Sequence, residues 1–261
     1  MTIMIRFNPK TTKVLFFDLE FYTPPKDRER ITPGSMKFSP VRPGHKIIGG
    51  VFQTYYPMLD KLDDPITIWE WKLGSERAVL KKIQSILHNE WYCFEKYPPL
   101  GSLILCGIGI ARSDLPALYA RMTALSINRP ERLYHLLFGG QLIDLTISTL
   151  CQFNFNYPYF AYPKPKAELY QKYLSGKKIE PGLKVLDFYD RSAFDEIESR
   201  TLEEVKDMIA IYKAMFDRNH EVGAALRRLK KIDKEKLADT ASAVDGQDAA
   251  QKQSTENPNL I

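Results

Sequence analysis

Cysteine is scarce here: Cys93, Cys106 and Cys151 are the only three in 261 residues. Their number is odd, and no Cys-x-x-Cys or Cys/His spacing occurs. That excludes a disulfide framework and a structural zinc site. Reduced thiols in an intracellular protein are the expectation. Long hydrophobic runs are missing as well. No apolar stretch approaches the ~20 residues that span a bilayer, and residues 1–13 lack the continuous apolar core of a signal peptide. A cytoplasmic protein without membrane association follows as the expectation. There is no glycine-rich phosphate loop, no dinucleotide fingerprint and no internal repeat, which removes three further classes. Strong charge of one sign is lacking too: the formal net charge is +5 and the pI about 8.9. That balance is compatible with nucleic acid without pointing to it.

What the chain does have is enough apolar residue, 44 %, for one generous domain. It also has one stretch around which the rest is organised, residues 14–22, VLFFDLEFY. The run is rich in strand formers. Asp18 and Glu20 interrupt it two residues apart, so on a strand they share a face. Two carboxylates that close repel, and burying them unpaired is costly. A divalent cation removes both difficulties; a strand end open to solvent or to a Lys/Arg partner removes them equally well.

Further strands are expected over 13–21, 46–55, 65–71, 103–110 and 142–145. A helix with Ser75 as N-cap is expected to run to about Asn89, and another from Asp114 to about Leu125. Shorter helices are expected over 132–138 and 167–174, and a strong one over about 201–219 with apolar Val205, Met208, Ile209 and Tyr212. The fold class is therefore α/β, a mixed five-stranded sheet of an antiparallel meander plus parallel strands flanked by helices. Residues 23–45 form a basic loop leaving the carboxylate end of the first strand. Segment 153–182 is dense in aromatics, proline and lysine, a composition that stacks unpaired bases or pins a loop. Residues 221–238 read as a basic helical extension to a 1–220 domain, and 239–261 as a disordered tail.

In this order the pieces resemble the DEDD 3′–5′ exonucleases on the ribonuclease-H-like fold. They are most similar to the proofreading domains of family B DNA polymerases and their stand-alone relatives. FFDLE matches the first motif at Asp18 and Glu20. GIGIARSDLPAL matches the second at Gly107, Asp114, Leu115, Pro116 and Leu118, and departs from it at Gly109 and Ser113. LIDL is similar to the following strand, with Asp144 in support and not a metal ligand. The third motif, Tyr-x-x-x-Asp-Val, fits with Glu204-Val205 in the Asp-Val place and Arg200 in the tyrosine place. A second register puts Asp207 in the ligand place and Glu203 in the tyrosine place. The residue that positions the attacking water is missing from both.

The resemblance implies a two-metal phosphodiesterase taking two Mg²⁺ or Mn²⁺ ions on Asp18, Glu20, Asp114 and Glu204, with Asp207 as the alternative fourth ligand. Its substrate is a DNA or RNA end, most readily a single-stranded one. Arg28, Arg30, Arg42, Lys46, Arg112, Lys164 and Lys166 are the candidate phosphate contacts. The departures at Gly109, Ser113 and Arg200 leave open an exonuclease-like fold without catalysis that serves as a binding or scaffolding subunit. An unrelated α/β module with surface carboxylates is the third reading. The C-terminal basic helix or tail is the element expected to meet a protein partner.

Overall fold

A near-continuous apolar run, buried on both faces, makes the first stretch the centre of a sheet. In the computed structural model β1 spans Lys13–Tyr22 and pairs on one side with β2, Lys46–Tyr56, antiparallel, and on the other with β5, Leu103–Gly107, parallel. The structure describes residues 12–28, 38–96, 103–153, 163–179 and 181–217, without the side chains of 92–96 and 151. Arg30, the aromatic run 154–162, the basic extension 221–238 and the tail therefore lie outside the described residues. The chain divides into two compact units, Met1–Tyr212 and Lys213–Ile261, and the account below concerns the first.

Among the described residues the sheet has six strands, one more than the periodicity predicts. Its order is β3 (Lys61–Leu62), β2, β1, β5, β6 (Gln141–Asp144), with β4 (Ile66–Trp69) also paired to β2. The extra strand, β3, is the two-residue Lys61–Leu62, too short to carry an alternating pattern. β4 is Ile66–Trp69 and gives way at once to a one-turn helix, α1, Glu70–Leu73. Gly74 closes α1 in the left-handed region (φ 80°), which glycine enters without a Cβ clash. α2, Glu76–Lys96, starts where expected, with the Ala78 N–H donating to the Ser75 hydroxyl at 3.2 Å. β5 stops at Gly107, three residues short of the expected end. A Cβ on Gly107 would sit 2.4 Å from the Ile110 side chain, so glycine there lets Ile110 fold back against the strand end. α3 is Asp114–Ala124, α4 Pro130–Phe138, β6 Gln141–Asp144 and α5 Leu145–Ser148. α6 is Lys166–Tyr173 and α7 Lys184–Asp190. The last helix, α8, covers 194–217 and begins two turns earlier than its apolar stripe announces.

The two faces of β1 serve different layers. Leu15, Phe17 and Leu19 pack into a core with Val79, Leu80, Ile83 and Leu87 of α2 and Leu115, Leu118 and Met122 of α3. Each such fully buried side chain contributes about 1.5–3 kcal/mol relative to exposure. On the opposite face Phe16 meets Tyr212 of α8 edge-on, ring centroids 5.2 Å apart. α8 is fixed at its start by Phe194, which stacks on Trp71 at 4.4 Å, itself stacked on Trp69 at 4.9 Å.

An internal ion pair ties the helical layer to the sheet. Glu76 accepts from the Ile47 backbone N–H at 2.8 Å and pairs with Arg121 of α3, whose Nη1 also donates to the Pro40 carbonyl at 2.9 Å. Removing one partner of such a pair strands the other charge. Glu76→Ala is expected to lower unfolding stability by about 3 kcal/mol, measured as a shift in the urea midpoint with an unchanged slope. A shift under a third of that would mean the pair is solvated.

Candidate metal centre

Because Asp18 and Glu20 share a face with Phe16, they point toward α8. Phe16 to Glu20 advances about 13 Å along a strand, and Tyr212 back to Thr201 about 16 Å along a helix. The two elements therefore run past each other in step. Tyr212 meets Phe16, Glu204 meets Asp18, and Arg200 with Thr201 meets Glu20. Asp18, Glu20 and Glu204 each offer an oxygen, all within 4.8 Å of one another. Glu20 and Glu204 are buried, while Asp18 is partly exposed.

Asp114 approaches from the other side. β5 pairs with β1 only as far as Phe16. Beyond that point the Leu19 N–H is free of the parallel ladder, and it donates to Asp114 Oδ1 at 3.2 Å. Ser113, which stands where the resembled motif has Phe, hydrogen-bonds to the other carboxylate oxygen. Asp144 fixes the turn before α3: it accepts from the Gly109 N–H at 2.9 Å and the Ala111 N–H at 3.1 Å, and from Thr146 N–H and Oγ1 at 3.0 and 2.8 Å.

Two cations reach into the cluster. Arg200 places Nη1 2.6 Å from Glu20 and Nη2 2.6 Å from Glu204, and Lys166 Nζ lies 2.6 Å from Glu204. Asp207 is not in the group of three. It pairs with Lys177 through both oxygens, at 2.7 and 2.9 Å. The buried Tyr170 side chain is faced by Asp207, Glu204 and Asp18, and burial together with these carboxylates holds its hydroxyl protonated.

The carboxylates repel as their spacing requires. Burial, then Glu204, pushes Asp18 well above the ordinary carboxylate range, and Asp18 hydrogen-bonds to Glu204. Burial lifts Glu20 to about 7 against the pull of Arg200, and lifts Asp114 to about 6 against its hydrogen bonds from Ser113 and Leu19. Burial also raises Glu204, but Lys166, Asp18 and Arg200 outweigh it and leave Glu204 lowered. Hard, closely spaced carboxylate oxygens are a donor set suited to Mg²⁺ or Mn²⁺.

A carboxylate with a raised folded pKa binds its proton more tightly folded than unfolded. Its contribution to stability is present below the unfolded value and is lost as pH rises through the folded one. For Glu20 that window runs from 4.5 to about 7, and for Asp114 from 3.8 to about 6. Glu204, lowered, acts below its ordinary value and outside this window. In EDTA the melting temperature should therefore fall by roughly 5 °C between about pH 5 and 7.5, and Mn²⁺ should flatten the slope. A slope of the opposite sign in scanning calorimetry would show that these carboxylates are solvated.

A cleft of about 750 Å³ opens beside Asp114, lined by Phe38, Pro40, Arg112, Ser113, Lys164 and Lys166. Phe38 and Pro40 bring the far end of the basic loop over the site. Arg112 and Lys164 remain at the cleft. Arg28 is instead bound to Asp190 at 2.6 Å, Arg42 lies 3.5 Å from Asp27, and Lys46 is held between Glu70 and the Tyr189 hydroxyl at 2.7 Å. Sequence reasoning missed the inward turn of Arg200 and Lys166 and the part of Tyr170. The i,i+4 spacing of Arg200 and Glu204 was the available signal for one of them.

No family model matches the chain, and no curated protein matches it. Among solved structures, the family B DNA polymerase of the hyperthermophilic archaeon Pyrobaculum calidifontis is similar to it, with a TM-score of 0.51 and 17 % identity. The alignment covers 78 % of this chain and 24 % of the polymerase, so the chain spans about a quarter of that protein. The likeness is one of fold, an α/β mixed sheet flanked by helices. No helix among the described residues is long and apolar enough to cross a membrane.

Proposed function

We propose that this chain is a metal-dependent 3′–5′ exonuclease that hydrolyses phosphodiester bonds at a DNA or RNA end, acting in the cytoplasm. The observation that carries the reading is the meeting of Asp18, Glu20 and Glu204, two segments about 180 residues apart, within 4.8 Å. Asp18, Glu20 and Glu204 would hold divalent metal, with Asp114 completing the set from α3. Bound there, the metal supplies a hydroxide at neutral pH and stabilises the leaving alkoxide.

The chain's own groups do the rest. Arg112 and Lys164 attract the phosphates of a strand lying in the cleft, and Phe38 offers a face on which a base can stack. Lys166 screens Asp18 and Glu204, and its proximity lowers the repulsion an incoming phosphate meets. The place of the family tyrosine is taken by Arg200, and Tyr170 is the hydroxyl that faces the carboxylates. Held protonated, it can donate to an attacking water. Asp144 positions Asp114 by fixing the Gly109–Ala111 turn.

Arg112→Ala combined with Lys164→Ala should weaken single-strand binding and reduce the salt slope by about 1–2. Arg28→Gln should leave the slope unchanged, since Arg28 is already engaged by Asp190. Fluorescence anisotropy over a salt series checks both; an unchanged slope for the cleft pair would remove it from the interface.

A second reading, an exonuclease-like binding subunit without catalysis, is favoured by one observation: the clamp of Arg200 on Glu20 and Glu204. The assay that separates the two uses 5′-labelled single strands with Mn²⁺ or with EDTA. Stepwise shortening only with Mn²⁺ supports the nuclease. Retarded but intact strands support the binding subunit.

A further inference from the structure

We propose that Arg200 takes the place of one of the two metal ions, so that the carboxylate cluster binds a single divalent ion. This deepens the nuclease reading and rests on it. The guanidinium is clamped between two carboxylates that a metal would otherwise gather. Nη1 lies 2.6 Å from Glu20 Oε1 and Nη2 2.6 Å from Glu204 Oε1, and all three side chains are about nine-tenths buried. Arginine is a permanent cation with a planar fork of donors, so no accessible pH removes it from the site. Its hold is built into the helix, because Arg200 and Glu204 stand one turn apart on α8.

Charge leads to the same count. The four carboxylates Asp18, Glu20, Asp114 and Glu204 face two cations, Arg200 and Lys166. With every carboxylate ionised, the excess is the charge of one divalent ion. A second such ion would stand beside the guanidinium in a buried site, where like charges repel strongly. Asp18 hydrogen-bonds to Glu204, and Asp114 approaches it across Leu19. The single ion belongs at that end.

Counting Mn²⁺ on the full chain tests the assignment, by titration calorimetry and by the electron paramagnetic resonance signal of unbound Mn²⁺. The unmutated chain should bind one ion and Arg200→Gln two. Arg200→Lys, which keeps the charge but cannot bridge both carboxylates, should bind one. A merely structural clamp would make Lys behave as Gln does. In EDTA, Arg200→Gln should melt lower than the unmutated chain and regain more on adding Mn²⁺. Two ions on the unmutated chain, one ion on all three chains, or two on Arg200→Lys would overturn the assignment while leaving the nuclease reading in place. No ion on the unmutated chain would overturn the metal reading and the assignment with it.

Discussion

Replacing Asp18 by Asn is expected to lower cleavage about a thousandfold or more while raising the metal-free melting temperature. The two effects share one cause. Asp18 stands where desolvation and the neighbouring Glu204, Glu20 and Asp114 all disfavour its charge. In the metal-free protein these pressures raise its pKa, and it hydrogen-bonds to Glu204. Asn has the same shape, donates to Glu204 through its amide and carries no charge to be repelled, so the fold gains. Catalysis loses because the amide is a far weaker metal ligand than a carboxylate; a thousandfold is about 4 kcal/mol of transition-state stabilisation. Cleavage of a labelled strand and melting in EDTA, measured on one preparation, check both halves. Unchanged cleavage would mean that the activity does not pass through Asp18.

Glu204→Gln should have an effect as large, and Asp207→Asn should leave cleavage within a few-fold of the unmutated chain. Both residues are buried acids on α8, three apart, and sequence spacing alone admits either as the ligand. Their surroundings differ. Glu204 stands with Asp18 and Glu20 in the close group. Asp207 has both oxygens on Lys177. Removing the Glu204 charge would take one hard oxygen from a bound metal and leave Arg200 and Lys166 facing fewer anions. Removing the Asp207 charge loosens its pair with the half-exposed Lys177 and takes nothing from the close group of Asp18, Glu20 and Glu204. The reverse outcome would shift the motif register by three residues and put Glu203 where the family tyrosine stands.

Much of the architecture was legible because it depends on periodicities short enough to read directly. The alternation in VLFFDLEFY puts Asp18 and Glu20 on one face, and the Asp-Leu-Pro start puts Asp114 at the head of α3. What could not be read depends on contacts between distant segments. β3 is two residues long and leaves no pattern. The first turns of α8 are hidden because 194–200 carries charge and aromatics that Trp71 and Glu20 accommodate from elsewhere. The basic loop was assigned to phosphates on its charge and its departure from the carboxylate end of β1, whereas Arg28 and Lys46 lie beside acids on other elements and Arg42 beside Asp27 of the loop itself. Arg200 marked a departure from a motif; that it clamps Glu20, 180 positions away, is a fact of tertiary packing.

The most direct test of the metal centre is anomalous scattering from crystals grown with Mn²⁺. The account predicts a peak at about 2.0–2.2 Å from an Asp18 carboxylate oxygen, a ligand distance ordinary for such ions, on the side facing Asp114. A well-ordered cluster with no peak, and with Arg200 and Lys166 still on Glu20 and Glu204, would contradict it.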